Sequence, residues 1–557
     1  MGEYRLSVIK TMIKTVRQKK ILFFCGIILC IGLFSACARR ETPEIFSIYP
    51  RIGRMGEPLV IRGSGFGNER NESYVTIAGT PPTSSSYLSW SDEEIVVRIP
   101  EFGNAGLIRV HRGRMKSNPV LFANHEALPE RVSGEADIGI NPRITSIQPA
   151  SGAIGSLITI QGNNFGASRE SSAVLFSWSS NPSAMMAGTQ DFVEVSALEF
   201  GYEFWSDREI RVRVPDGAVS GDLKVSTNRG ASRPVLFEVA GKPGTRVFRD
   251  RLSYVLSYMV DVRIDQASAP NALYIWMPLP AISGSQRNVR LVDRNIEPFV
   301  ENHRGTSIFR FVDMLPQTSK GIILSYVVDV YAVETNITNL NPVNLNSPSP
   351  VRNVYTLPSV LIPSDNDAIR TAAAQIIGPE RRPYAMARRI YDWLLANVDF
   401  QAAPLSGGAL EALEERAADS YRAALLFCAL ARASGIPAIP VAGILINSHQ
   451  GTIRHYWAEF WLDGFGWVPV DPAFGAGAAP VGFNLREDHA GFYFGNMDNQ
   501  RVAFSRGEHS LSQMTPHGRT VQRIREHSIQ NLWEEAVGGL ESYSSLWSDV
   551  SITGVFQ

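Results

Sequence analysis

Two stretches of the chain repeat each other. Ile48-Tyr49-Pro50 leads through Gly56 to Leu59-Val60-Ile61-Arg62-Gly63-Ser64-Gly65-Phe66-Gly67. Ile147-Gln148-Pro149 leads through Gly155 to Leu157-Ile158-Thr159-Ile160-Gln161-Gly162-Asn163-Asn164-Phe165-Gly166, offset by 99 residues. Trp90-Ser91-Asp92, ahead of Ile95-Val96-Val97-Arg98-Ile99-Pro100, returns as Trp205-Ser206-Asp207 ahead of Ile210-Arg211-Val212-Arg213-Val214-Pro215. That second offset is 115, so the later copy carries a 16-residue insertion between its halves. Short alternating apolar runs, punctuated by Gly, Pro and Asn turns, read as small antiparallel sandwiches. One copy falls at about 42–124 and the other at about 142–240.

The strand, the G-x-x-F-G turn and the later S-D strand resemble the IPT/TIG immunoglobulin-like domain. Such sandwiches serve as spacers or binding modules, so the resemblance speaks to fold more than to function. With 557 residues, the chain needs several cores. A further β region follows, at about 245–350, in which Tyr254, Leu256, Tyr258, Val260, Val262 and Ile264 alternate along one face. Ile322 to Val333 supplies another long strand, and Asn, Pro and Ser crowd 336–350 as a linker or long loop. Helical spacing then appears at Ala385, Ala387, Ile390, Trp393, Leu394 and Val398, and a second helix is expected from about Ser420 to Ser434. Aromatic-rich strands run on to Asp471, giving an α+β domain at about 363–505 and a C-terminal extension at 506–557. The expected fold class is therefore multidomain: two all-β Ig-like sandwiches, a further β domain, and an α+β domain. The run Gly241-Lys242-Pro243-Gly244 reads as a linker, so the sandwiches and the C-terminal half are expected to be separable folding units.

The N-terminus speaks to location. Lys10, Lys14, Arg17, Lys19 and Lys20 precede an apolar run at 21–33 and then Phe34-Ser35-Ala36-Cys37. A basic region, a short apolar region and small residues describe a secretory signal, here 1–36, and the run is short for a membrane span. Small residues directly before Cys resemble a bacterial lipobox in its looser, spirochaete-like form. The resemblance implies cleavage before Cys37 and acylation there. An uncleaved membrane anchor is the alternative, and either places the protein outside the cytoplasm, on the periplasmic or cell-surface side. Cys25 and Cys30 would leave with the signal, so Cys428 would be the one free thiol and no intrachain disulfide could form. The 53 basic and 54 acidic residues are interspersed and nearly cancel, which argues against a nucleic-acid partner.

One constellation carries chemistry. Ala418-Asp419-Ser420-Tyr421-Arg422-Ala423-Ala424 runs on to Leu430-Ala431-Arg432-Ala433-Ser434-Gly435-Ile436-Pro437-Ala438. His455-Tyr456-Trp457-Ala458-Glu459-Phe460-Trp461 and Gly466-Trp467-Val468-Pro469-Val470-Asp471-Pro472 follow, then Phe494-Gly495-Asn496-Met497-Asp498 and Arg501. This order resembles the transglutaminase-like, cysteine-protease-type (papain-like) domain, and the resemblance covers about 245–505. It implies a nucleophile opening the helix, a base at His455 and an orienting acid at Asp471. A helix N-terminus favours an anion, and a neighbouring His can take the nucleophile's proton. A two-residue turn would put His455 and Asp471 on opposite faces, whereas the loop Asp463-Gly464-Phe465 makes Asp471 a diagonal neighbour of His455.

The family's Cys is replaced here by Ser420. Ser is a weak nucleophile without full activation, and either Ser420 or Asp419 could instead cap the helix. Cys428, among Leu425, Leu426, Phe427 and Leu430, reads as core, and Trp457, Trp461 and Trp467 read as strand core rather than a ligand cage. Glu487-Asp488-His489 lacks a second ligand cluster, so no metal site or cofactor is expected. Two functions stay open. The first is a membrane-anchored lipoprotein whose inactive domain, a pseudoenzyme, binds a protein, peptide or peptidoglycan partner. The second is an acyl-transfer enzyme using Ser420, His455 and Asp471.

Overall fold

The computed structural model describes residues 42–100, 106–124, 141–180, 191–197, 199–241, 243–338, 350–483 and 485–557. Cys37 and the expected signal lie outside the described residues, as do 339–349 of the expected linker.

Each repeat is a pair of facing sheets, antiparallel but for one short parallel pairing, Ile52–Gly53 with Val120–Asn124 in the first and Ser151–Gly152 with Val235–Val239 in the second. In the first, Glu44–Tyr49, Pro58–Ser64, Glu94–Arg98 and Tyr87–Trp90 form one sheet in that spatial order. The second copy repeats this with Arg143–Gln148, Leu157–Asn163, Glu209–Arg213 and Tyr202–Trp205. Even the register break recurs, between Ile45 and Ser47 and between Ile144 and Ser146. The repeated residues have a physical task. Asp92 accepts a hydrogen bond from the Gly67 N–H at 2.6 Å and Asp207 from the Gly166 N–H at 3.0 Å, tying the glycine turn to the following strand. At Gly63 and Gly162 a Cβ would lie 2.0 and 2.1 Å from the carbonyl oxygens of Glu44 and Arg143, so no side chain fits. The insertion in the later copy supplies an extra strand, Asp191–Glu194, paired with Ala173–Trp178.

The third sheet is built on one long strand, β1 (Gly244–Pro278), flanked by β2 (Thr306–Val312) and β3 (Ser319–Ile337). The alternating set from Tyr254 to Ile264 is buried, as the period of two requires. The α+β part follows with α1 (Pro383–Asn397) and α2 (Ser420–Ala433). Its sheet comprises β4 (Ala438–Ile446), β5 (Thr452–Leu462), β6 (Gly466–Val470) and, after the short helix α3 (Pro472–Gly475), β7 (Arg501–Arg506). The strand order is β6-β5-β4-β7. The chain then returns to the third sheet, where β8 (Glu534–Trp547) and β9 (Ser551–Phe556) both pair antiparallel with β1. Residues 506–557 are thus no appendage, because they complete a sheet begun some 250 residues earlier.

The two faces of the β5 sheet have different partners. Tyr456, Ala458, Phe460 and Leu462 pack with α1 and α2 in one core. Trp457, Trp461 and Trp467 point the other way, into a core shared with Ile154, Trp178 and Phe237 of the second sandwich and with Phe248 and Tyr331 of the third sheet. This corrects the expectation of separable units joined by a linker at 241–244, since the second sandwich and the C-terminal half bury one continuous apolar cluster. The first sandwich has its own core and meets the third sheet through Phe46, packed against the cluster around Trp276 and Val300, and through polar contacts such as Arg310–Glu93 at 3.6 Å. Among the described residues no helix is long and apolar enough to cross a membrane.

Candidate functional site

The first turn of α2 is fixed by Asp419, which is its N-cap. One carboxylate oxygen accepts the Arg422 N–H at 2.9 Å, and the other accepts the Leu405 N–H at 2.9 Å and the Arg525 guanidinium. The cap therefore belongs to Asp419, and Ser420, half-buried at the first helical position, is not needed for it. The helix is buried all round from 421 to 432, because it runs between the sheet and the other helices. Arg422 is tolerated there through Glu415 at 2.6 Å and the Ala417 and Ser406 carbonyls. Cys428 is wholly buried, and burial pushes its thiol up to about 12, so it stays a thiol at neutral pH.

Leu462 pairs with Gly466, which leaves a three-residue loop at 463–465. Val470 lies opposite Ala458, so Asp471 falls opposite Trp457 and diagonal to His455. The His455 Nε2 and an Asp471 carboxylate oxygen are 2.7 Å apart. An ionised carboxylate only accepts, so Nε2 is the donor, and Nδ1 has no partner among the described residues. The other Asp471 oxygen accepts the Phe474 N–H at 3.0 Å at the start of α3. Arg501 also donates to Asp471, and grips Asp498 through Nε at 3.1 Å and Nη2 at 2.9 Å. Burial alone would raise the Asp471 carboxyl, but the charges of His455 and Arg501 and the bonds from His455 and the Phe474 N–H outweigh it and hold it at about 2.

Of the three predicted residues, His455 and Asp471 are directly bonded. Ser420 opens α2, whose start meets β5 where the Tyr421 ring lies edge-on to the Tyr456 ring at 4.9 Å, one residue along from His455. Among the described residues, however, the Ser420 hydroxyl takes no part in the His455–Asp471 hydrogen-bond network. Two arginines were not foreseen as parts of the site. Arg501 stood in the sequence pattern without a role. Arg525 comes from the C-terminal segment, bonds Asp419 and the Leu405 and Gly407 carbonyls, and stacks on Tyr421 at 4.4 Å. The next residue, Glu526, accepts the Tyr456 hydroxyl at 2.7 Å through its carbonyl and pairs with Arg454 at 3.0 Å, so this segment touches both flanks of the site. Among the described residues no group of three or more His, Cys, Asp or Glu could hold a metal ion.

Residues 370–472 match the transglutaminase-like superfamily, and residues 43–123 and 142–239 each match the IPT/TIG domain. The chain carries tandem IPT/TIG domains and a transglutaminase-like domain. A Haemophilus influenzae protein named only as uncharacterized is 30% identical over 165 residues, spanning 24% of this chain and 44% of that protein. The cyclomaltodextrin glucanotransferase of Paenibacillus macerans is 37% identical over 60 residues, 11% of this chain and 8% of the enzyme. The chain thus spans less than half the length of these curated relatives. Among solved structures, it is similar to a candidate cysteine protease from Cytophaga hutchinsonii (17% identity, TM-score 0.36, covering 56% of this chain and 92% of that one). It is also similar to the periplasmic domain of TgpA from Pseudomonas aeruginosa (15% identity, TM-score 0.23, covering 39% and 88%).

Proposed function

We propose that this is an exported lipoprotein, tethered to a bacterial membrane through Cys37, whose transglutaminase-like domain binds a protein, peptide or peptidoglycan partner without turning it over. The observation that carries the reading is Ser420. A serine becomes a nucleophile only when a base within hydrogen-bond reach takes its proton, and the Ser420 hydroxyl stands outside the His455–Asp471 network. A second reading, acyl transfer through Ser420, His455 and Asp471, is favoured by the intact 2.7 Å bond between the last two.

Two experiments test the proposal. Wild-type protein should leave amide and glutamine substrates unchanged and resist a fluorophosphonate. Ser420→Cys should alkylate with iodoacetamide faster than the buried Cys428, because His455 and the helix end favour a thiolate. Fluorophosphonate labelling at Ser420 would instead establish the enzyme. For the anchor, a fatty-acid analogue should label wild type and not Cys37→Ala in the native host, and an unlabelled wild type would end that part of the proposal.

A further inference from the structure

Asp498 and Arg501 have no part in the reading above, yet they are bonded into the site. Arg501 is 3% exposed and every edge of its guanidinium is engaged. Nη1 donates to the same Asp471 oxygen that faces His455, and Nε and Nη2 donate to Asp498. The Phe474 ring lies 4.4 Å from the guanidinium and the Tyr493 ring 5.3 Å. A buried cation so placed is stable only while its carboxylates stay ionised. Asp471, holding His455, Arg501 and the Phe474 N–H at once, cannot turn without losing a charge-assisted bond. The imidazole is then left with Nε2 fixed as donor and only Nδ1 free to change protonation.

We propose that Arg501 is a positioning residue for His455: acting through Asp471 it fixes the ring's tautomer and offsets the charge that His455 feels, and Asp498 sets how much of the Arg501 charge is left for Asp471. The inference rests on the His455–Asp471 pair being the site, but not on whether that site turns over a substrate. The ionisable groups around His455 are Asp471 beyond β6, Arg501 on β7, and Asp498 and Tyr493 ahead of it. Tyr391 on α1 feels the Asp471 charge. On β5 itself, Arg454 is paired with Glu526 and Asp549, and Glu459 with Arg506.

The test is the titration of His455 in the full chain, followed by NMR with 15N-labelled histidine and assigned through His455→Gln. Arg501→Met leaves two carboxylates uncompensated, so the His455 midpoint should rise by about one unit or more. Asp498→Asn frees more of the Arg501 charge for Asp471, so the midpoint should fall. Arg501→Lys keeps the charge and should stay near wild type. A loss of packing alone would move Arg501→Met and Asp498→Asn in the same direction or not at all, and that result overturns the proposal. If Arg501→Met does not fold, a fall in Asp498→Asn without one in Arg501→Lys supports it, and no fall overturns it. The iodoacetamide rate of Ser420→Cys in the same backgrounds separates the two readings. Midpoints that move as stated beside a slow thiol would leave Arg501 in its role and remove the catalytic outline.

Discussion

Asp471 is wholly buried and accepts from three donors on three different elements, so its ionised state is a condition of the fold. A carboxyl depressed on folding adds stability above its unfolded value and loses it as the pH falls through its folded value. For Asp471, held at about 2, the contribution is complete above about pH 4 and disappears between there and pH 2. Its size is about 2 kcal/mol. Asp471→Asn should cost about 2 to 4 kcal/mol at pH 7, because Arg501 and His455 would keep an amide where each had a carboxylate. Urea melts of the two proteins should draw together as the pH falls from 4 towards 2. A constant gap across that range would show that the carboxylate's charge is not what holds the network.

At the scale of the hairpin, the position of the site depends on a count. With three residues at 463–465 between Leu462 and Gly466, Asp471 falls on the His455 face of β5, and a register shift of one residue would break the pair. Removing Val468 from β6, with the three-residue loop kept, should set Asp471 opposite Ala458 on the helix face and take the His455 bond with it. The labelled His455 signal would then lose its fixed tautomer, and a tautomer unchanged in that variant would mean that the strand had slipped to compensate. That count was legible in the sequence, as were the repeat, the alternation in β1 and the two helices, because each is a spacing along one continuous stretch of chain. What could not be read were meetings between elements. Trp457, Trp461 and Trp467 read as buried, but nothing in their spacing says that they bury against the second sandwich. The Arg501–Asp471 and Arg525–Asp419 bonds join residues 30 and 106 positions apart, and no local pattern marks either. The cap stayed undecided between Asp419 and Ser420 because both residue types suit that position.

Across the whole molecule, the shared core changes what counts as a unit. Trp178 of the second sandwich donates to the Gly284 carbonyl at 3.2 Å and packs against Phe248 and Tyr331, at ring distances of 5.2 and 5.1 Å. Gly466 on β6 lies so close to Asp216 that a Cβ would fall 1.9 Å from its carboxylate. A chain starting at residue 142 should therefore melt in one calorimetric transition, and cleavage at 241–244 should not release a stable sandwich. Two transitions, with a resistant piece ending near 241, would restore the idea of a linker. The first sandwich, with its separate core, should survive a cut between the copies.

The return of the chain to β1 has a consequence for the order in which the protein is made. When a ribosome has added Asp419, the arginine that binds its carboxylate is still 106 residues away, and β8 and β9, two of the strands that pair along β1, come later still. A nascent chain halted after β7 could already join His455 to Asp471, yet the start of α2 would lack Arg525 and the long strand would present unpaired backbone. Such an intermediate is the kind that sticks to its neighbours. Holding the chain unfolded until it is complete, as passage through a membrane pore does, would spare it that stage.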